Sequence, residues 1–322
     1  MVKLSIIIPV YNRAEVVSRT LETVLAQTFR PLQLVLVDNC SSDNTLQVLQ
    51  RFRQENASSD LDIKVVQESV HTAGAARNCG AREADGEWLM FFDSDDEMDA
   101  SLVGEYVREI ENADGNLDIV STKALLKMAD GTEKLLPFHT SDIMAVQLLH
   151  SQLATQRYIV RREFFDQCDG WNINLPVWND WELGVRMLLA NPRIAFMADQ
   201  VRVTVNHSGK DSITGSDFSS KEGQWEHTID IVETEIIASD IADKHRYLRL
   251  VEYKRIALAA AYEAEGNHDT SVKLCRKAYG RLRDSYGNSS YWRWVVAPIV
   301  RRLFARIVSG KRGSAQIARR IL

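Results

Sequence analysis

Four short apolar runs in the first hundred residues constrain this chain more than any other feature. They are LSIII (4–8), LQLVLV (32–37), IKVV (63–66) and WLMFF (88–92). Unbroken runs rich in β-branched residues suit strands buried on both faces, as in a parallel sheet. Amphipathic segments separate them. Val16, Val17, Leu21, Val24 and Leu25 fall on one helical face within 14–27. CSSDNT (40–45) offers Ser and Asp as helix caps, and Leu46, Leu49 and Phe52 continue at helical spacing. A Gly/Ala-rich stretch follows the third run. Strand and helix alternate, which predicts an α/β domain of Rossmann type: a mixed, mostly parallel sheet flanked by helices.

The pattern loosens further on. Residues 118–122 and 194–205 read as strands and 180–190 as a helix. From about residue 220 the chain reads as helical, with a helix, a turn at Gly266-Asn267-His268 and a second helix over 245–280. One such hairpin does not make a repeat array. The expected division is a catalytic domain over 1–220 and a helical, basic C-terminal extension over 221–322. At 45% apolar and 26% charged residues the chain is neither disordered nor fibrous. No apolar run approaches the roughly 18 residues that span a bilayer. The opening MVKLSIIIPVYN is stopped by Pro9 too soon for a secretory leader. Cys40, Cys79, Cys168 and Cys275 form no CxxC pair and no zinc spacing, which suits reduced thiols in a cytoplasmic protein.

In open α/β sheets, ligands bind beyond the carboxyl ends of the strands. The first run ends in Pro9-Val10-Tyr11-Asn12, the second in Asp38, and the fourth in Asp93, Asp95 and Asp96. One Asp after a strand can simply cap the next helix; three such strand ends point to a crevice. Three carboxylates within four residues repel one another unless a cation or strong donors offset them. Hard oxygen ligands suit Mg²⁺ or Mn²⁺, which are usually held by one or two carboxylates plus substrate phosphates. Glu97 and Met98 break the calcium-loop pattern. Neither G-x-G-x-x-G nor a P-loop follows the first run, which counts against a dinucleotide dehydrogenase and a P-loop NTPase.

Taken in order, IIIPVYNRAE (6–15), VDNCSSDNT (37–45), GAARNCG (74–80) and DGEWLMFFDSDDE (85–97) resemble four elements of the family 2 glycosyltransferases. The resemblance covers residues 3–100 closely and reaches about 215 more loosely. It implies a GT-A fold and an inverting transferase of polysaccharide biosynthesis. The donor would be a nucleoside diphosphate sugar, UDP-linked, and the acceptor a saccharide or lipid-linked saccharide hydroxyl. Pro9 and Tyr11 would line the base pocket, and Asp38 would accept from the uracil edge. Where the family often has Asp-Asp-Gly, this chain has Asp38-Asn39-Cys40. Arg77 would sit near the base or phosphates, and Asp93 would contact the ribose. Asp95 would ligate a divalent metal, Mn²⁺ or Mg²⁺, bridging the diphosphate, which offsets charge on the leaving group.

The resemblance extends to NDWEL (179–183), similar to an element that carries the general base. Its leading Glu is Asn179 here. Asp180 aligns with the base, Glu182 is the reserve, and the plainer reading has Asp180 capping the helix 181–190. VTVNHSGKDSIT (203–214) resembles a donor-side loop. His207 there would be a third metal ligand or a diphosphate contact, with a structural histidine as the alternative. Lys210 and Ser212 would help close the loop over the donor and exclude water. Two other functions remain open: a non-catalytic sugar-nucleotide-binding scaffold, and a nucleotidyltransferase. The second lacks the glycine-rich basic loop that would hold a triphosphate.

Charge is unevenly spread. Residues 281–322 hold ten Lys/Arg and one acid, Asp284, so residues 1–280 carry net −14 against a chain total of −5. Within the tail, YWRWVVAPIVRRLFARIV (291–308) mixes aromatics, aliphatics and arginines around Pro298. That composition suits peripheral contact with an anionic membrane on its cytoplasmic face, and a lipid-linked acceptor. The alternative is that Trp292 and Trp294 dock the tail while its arginines cover the acidic body. No nucleic-acid-binding module is present, so no nucleic-acid partner is expected.

Overall fold

The computed structural model describes residues 3–113, 116–197, 200–207, 217–287, 289–311 and 313–322. The chain divides into two compact units, Met1–Thr140 with Gln152–Ser212, and Ser141–Ser151 with Ile213–Leu322.

In the first unit the four apolar runs form β1 (Leu4–Val10), β2 (Leu32–Asp38), β3 (Leu61–Gln67) and β4 (Trp88–Phe91). Helices α1 (Val17–Leu25), α2 (Thr45–Asn56) and α3 (Ala73–Glu83) connect them. After β4 come β5 (Glu97–Met98), α4 (Leu102–Asn112), β6 (Ile119–Thr122), β7 (Ala124–Met128) and β8 (Glu133–Leu136). Helix α5 (Ile143–His150) belongs to the second unit. The first unit resumes with β9 (Tyr158–Arg161), α6 (Arg162–Gln167), α7 (Asn179–Leu189), β10 (Ile194–Met197) and β11 (Val203–His207).

The main sheet has the order β10-β6-β9-β4-β1-β2-β3. Only β9 runs antiparallel, between β4 and β6. Side chains alternate across it. Ile6, Ile8, Leu34, Leu36 and Met90 pack with Val17, Leu21 and Val24 of α1 and with Leu102, Val103 and Tyr106 of α4. Ile7, Val35, Val37, Leu89 and Phe91 pack on the other face with α3, Phe165, Trp171, Leu183 and Met187. Burial on both faces is why β1, β2 and β4 read as continuous apolar runs. A second sheet, β5-β11-β7-β8, was not legible in the sequence. It matters because β11 pairs with β5 and so returns the chain beside residues 93–96.

Helix α1 starts three residues later than its periodicity suggests. Arg13 N–H donates to Thr45 Oγ1 at 2.9 Å and Ala14 N–H to Asp43 Oδ2 at 3.2 Å, so the exit of β1 is tied to the next loop before the helix can begin.

The second unit contains α5, α8 (Gln224–Ala238), α9 (Lys244–Ala264), α10 (His268–Ser285), α11 (Ala297–Val308) and α12 (Ser314–Ile321). Helix α9 is buried along most of its length. Gly266 at φ +84° and the Asn267 cap form the expected turn into α10. Fully buried Arg255 of α9 pairs with Asp230 at 2.8 Å and with Glu233 of α8, and Glu252 lies 3.2 Å away. Arg281 of α10 bonds Glu233 and Glu252. Sequence reading places residues 141–151 with the first domain, but Arg246 of α9 bonds Asp142 at 2.8 Å and Arg319 of α12 bonds the Ser141 carbonyl at 2.8 Å. These partners are about a hundred residues or more away in sequence, beyond any local pattern.

Burial pushes the Glu252 carboxyl up to about 7, against the opposing pull of Arg255 and Arg281. The unfolded carboxyl titrates near 4.3. The folded chain therefore keeps a proton that the unfolded chain has lost, and this stability is full below about pH 4 and drains away as pH approaches about 7. Glu252→Gln should gain unfolding midpoint relative to wild type as pH rises from about 5 to about 8. A gap independent of pH in thermal melts would mean that the carboxylate is ionised throughout.

Candidate functional site

The parallel strands β1, β2 and β4 deliver their carboxyl ends to one edge of the sheet. Val10 pairs with Asp38, and Asp38 with Gln67, in register. Pro9 is partly buried one step earlier in β1. Tyr11 lies half-exposed beyond the strand, and its ring meets His71 edge-on with centroids 4.3 Å apart. Asn12, at φ +49°, folds back so that its side-chain oxygen accepts from Ser42 N–H at 2.8 Å. Asp38 is buried. Its Oδ2 has one long contact, 3.4 Å from Gln67 Nε2, and its Oδ1 has no hydrogen-bond partner among the described residues. A buried acceptor without a donor costs free energy, so such a group marks a place where a ligand donor fits.

Helix α3 explains the GAARNCG segment residue by residue. A Cβ on Gly80 would collide with Ile7 Cγ2 and sit 3.1 Å from Val37 Cγ2, so only glycine lets the helix lie this close to the sheet. Asn78 bonds both the N–H and the carbonyl of Trp171, at 2.9 and 2.8 Å. The Arg77 guanidinium stacks 4.5 Å from the centre of the Trp171 ring and donates from Nη2 to Asp93 Oδ1 at 2.7 Å. Its Nε and Nη1 are buried with no hydrogen-bond partner among the described residues, leaving three N–H groups for an anion or a carbonyl.

The acidic cluster is held from three directions. Asp93 is clamped by Arg77 and by Gln156 Nε2 at 2.8 Å. Asp96, fully buried, accepts from Gln156 and from Asn206 N–H at 2.8 Å. Burial, with the charges of Asp93 and Asp95, holds its carboxyl well above the usual range. Asp95 is different. Its backbone carbonyl is bound by Arg19 at 2.8 Å and Asn206 at 3.0 Å, but no other described residue hydrogen-bonds its carboxylate. Burial and the Asp93 charge raise its carboxyl too. The strain on it is electrostatic and a cation would relieve it. Among the described residues, no three His, Cys, Asp or Glu groups gather as a ready-made metal cage. A carboxylate with free oxygens still fits an ion that draws its remaining ligands from phosphates and water.

His207 ends β11, next to the Asn206 that grips Asp95 and Asp96. Lys210 and Ser212 lie outside the described residues. Asp180 sits in the first turn of α7, with Oδ1 accepting from Trp181 N–H at 2.8 Å. Burial holds the Tyr158 phenol well above its usual range, and the charges of Arg77 and Asp180 act on it in opposite senses. Glu182 is fully buried and forms a two-pronged pair with Arg186, at 2.6 and 2.9 Å. Arg186 also bonds the Cys168 and Gly170 carbonyls beside Trp171. Glu182 is thus a structural anchor and has no oxygen to spare as the reserve base.

The sequence reading missed Gln156, Asn206, Trp171 and His71. Gln156 lies in a short turn before β9 with no local signal at all. Asn206 lies inside a segment already singled out, where period-2 alternation would have set it on the opposite face from His207.

Residues 5–166 match the model of the family described as "Glycosyl transferase family 2". The chain belongs to that family. Among curated relatives, the poly(ribitol-phosphate) β-N-acetylglucosaminyltransferase TarS of Staphylococcus aureus is 29% identical over 129 residues, 39% of this chain and 22% of that protein. The uncharacterized glycosyltransferase alr2836 of Nostoc sp. is 31% identical over 134 residues, 42% of this chain and 39% of that protein. These matches thus span well under half the length of either relative. The crystal structure of S. aureus TarS 1–349 superposes with a TM-score of 0.70 at 19% identity, over 99% of this chain and 90% of that one. The mannosyltransferase PcManGT of Pyrobaculum calidifontis gives 0.58 at 16% identity, over 99% and 87%. At these identities the likeness shows the fold, which is GT-A. In this family 2 chain the fold sets the four sequence motifs around one sheet edge.

Gly80→Ala tests whether that edge depends on the approach of α3. The added methyl meets rigid, buried Ile7 and should destabilise the first unit by about 1–3 kcal/mol. An unchanged denaturation midpoint would show that the helix can lift off the sheet freely.

Proposed function

We propose that the chain is an inverting glycosyltransferase. It moves a sugar from a UDP-linked donor to a hydroxyl of a saccharide or lipid-linked saccharide acceptor. The observation that carries this reading is the vacant, buried Asp38 Oδ1 beside Tyr11, on the same edge as the acidic cluster. A single vacant acceptor matches the single ring N–H of uracil. TarS has been solved with UDP-GlcNAc, and PcManGT with GDP-Man and Mn²⁺, so both nucleotide classes occur on this fold. TarS is named for transfer of N-acetylglucosamine to poly(ribitol-phosphate), which supports a role in the biosynthesis of a cell-envelope or other polysaccharide-type polymer.

In this reading Tyr11 packs on the base and Pro9 closes the pocket behind it. Asp93, fixed by Arg77 and Gln156, faces the ribose. The spare Arg77 donors meet the diphosphate or the base edge. Asp95 and His207 would be the protein ligands of a bound Mn²⁺ or Mg²⁺. Such an ion, when bound, offsets the charge that develops on the departing diphosphate. The acceptor oxygen attacks the anomeric carbon as the bond to the diphosphate oxygen breaks. The hydroxyl proton passes to the Asp180 carboxylate, and the nucleoside diphosphate leaves with the bonding electron pair.

Calorimetric titration of UDP, with GDP as control and with or without Mn²⁺, tests the donor class. UDP should bind, more tightly with Mn²⁺, and Asp95→Asn should abolish the Mn²⁺ dependence. No nucleotide binding by wild type would overturn the donor assignment, and UDP binding without transfer would favour the sugar-nucleotide-binding scaffold. Asp180→Asn should retain UDP binding and lose transfer by about 10²–10⁴-fold, the usual worth of a positioned base. Full transfer in that variant would move the base elsewhere.

A further inference from the structure

Two tryptophans two residues apart meet opposite environments in the second unit. Trp292 is buried against Tyr286, with stacked rings 6.1 Å apart, and Tyr279 meets it at 6.2 Å. Trp294 is 80% exposed. Residues Trp292–Val296 are wound as a π-helix that runs into α11, with Pro298 in the first turn. Both Tyr291, 52% exposed, and Val295 are also open to solvent. At steps of three and four residues the same stripe continues through exposed Arg301 and Arg302, with exposed Arg293 at its flank.

The charge of this stripe is uncompensated. Residues 285–322 hold eight Lys/Arg and no acid. Other arginines of the basic tail are engaged within the unit: Arg281 with Glu233 and Glu252, and Arg319 with Asp142. Arg293 and Arg302 pair with no acid among the described residues. An anionic polymer in solution would satisfy the arginines but would leave the Tyr291, Trp294 and Val295 triad in water. A lipid surface satisfies both, because indole and phenol rings settle at headgroup level while arginines meet the anionic phosphates. Among the described residues no helix is long and apolar enough to cross a bilayer, so the contact is of a helix lying on the surface.

We propose that the Tyr291–Trp294–Arg302 face binds an anionic lipid membrane, with Trp294 at headgroup level and Arg293, Arg301 and Arg302 on the lipid phosphates. The proposal does not depend on the sugar chemistry and is tested without it. The full chain is floated with vesicles of phosphatidylcholine alone or of phosphatidylcholine mixed with phosphatidylglycerol. Binding is expected to the mixed vesicles only and to fall with salt. Each of Arg293→Gln and Arg302→Gln should weaken it about fivefold. Trp294→Ala should weaken it about tenfold, and Trp294→Phe should recover most of the loss. Because these side chains are exposed, the variants should melt like wild type. Equal binding to both vesicle types, or no effect of Trp294→Ala, would overturn the proposal. So would saturable binding to soluble polyphosphate without vesicle binding, which would give the face to a polyanion instead.

Discussion

Three carboxylates within four residues can coexist at the end of β4 only because three distant segments reach in to hold them. Arg77 comes from α3, Gln156 from the turn before β9, and Asn206 from β11. Each segment is secured elsewhere: α3 by the Gly80 contact with β1, β9 by pairing with β4 and β6, and β11 by pairing with β5 and β7. Removing one partner of a buried charged group is costly, often about 3–5 kcal/mol, so these segments have little freedom to move independently. The outcome is selective. Two of the three carboxylates are satisfied by protein donors, and Asp95 is left with its charge raised in energy and its oxygens available. A site that binds a cation weakly alone and well with a diphosphate would be built in this way.

The fold was legible where local pattern and global role coincide. β1, β2 and β4 are buried on both faces, so their sequences are apolar without interruption and could be read as strands. Their order and direction follow from the helices between them. The reading failed where a strand depends on a remote partner. β5 has two residues, and β11 joins the local β7–β8 hairpin and β5 only through pairings with residues 124–128 and 97–98, about eighty to a hundred positions away. The site shows the same division. Strand-end residues such as Asp38, Asp93 and Asp95 could be named from the motifs. Gln156 could not, since a glutamine in a turn carries no periodicity and no charge. Its role exists only because β9 runs antiparallel beside β4.

The second unit hides its organisation in a different manner. Its helical hairpin and the turn at Gly266 follow from periodicity and turn chemistry. Its centre does not. Arg255, with nothing in the local pattern to single it out, is fully buried among Asp230, Glu233 and Glu252. A buried arginine with three acids fixes which faces of α8, α9 and α10 meet, at the cost of desolvating every member of the group. The raised Glu252 carboxyl is the visible sign of that cost. The tail shows how little composition alone decides. Trp292 and Trp294 look equivalent in YWRWVV, and the π-wound turn buries one and presents the other.

The departure from Asp-Asp-Gly after β2 bears on how the loop beyond that strand is held. Asn39 is buried and its amide donates to the Glu68 and Val70 carbonyls, at 3.2 and 2.8 Å. A carboxylate could donate to neither. Cys40 takes a left-handed conformation, φ +62°, that glycine adopts without strain and other residues adopt at a cost of about 1–2 kcal/mol. Its thiol lies 3.2 and 3.3 Å from the Glu68 and Ser69 carbonyls, which partly offsets that cost. Both replaced residues therefore grip the 68–70 backbone, the segment that leads to His71 and so sets the ring facing Tyr11. Asp38, the first residue of the triplet, keeps its vacant oxygen. A loop clamped from the β2 side can hold the Tyr11–His71 aromatic pair in place even though both rings are themselves open to solvent.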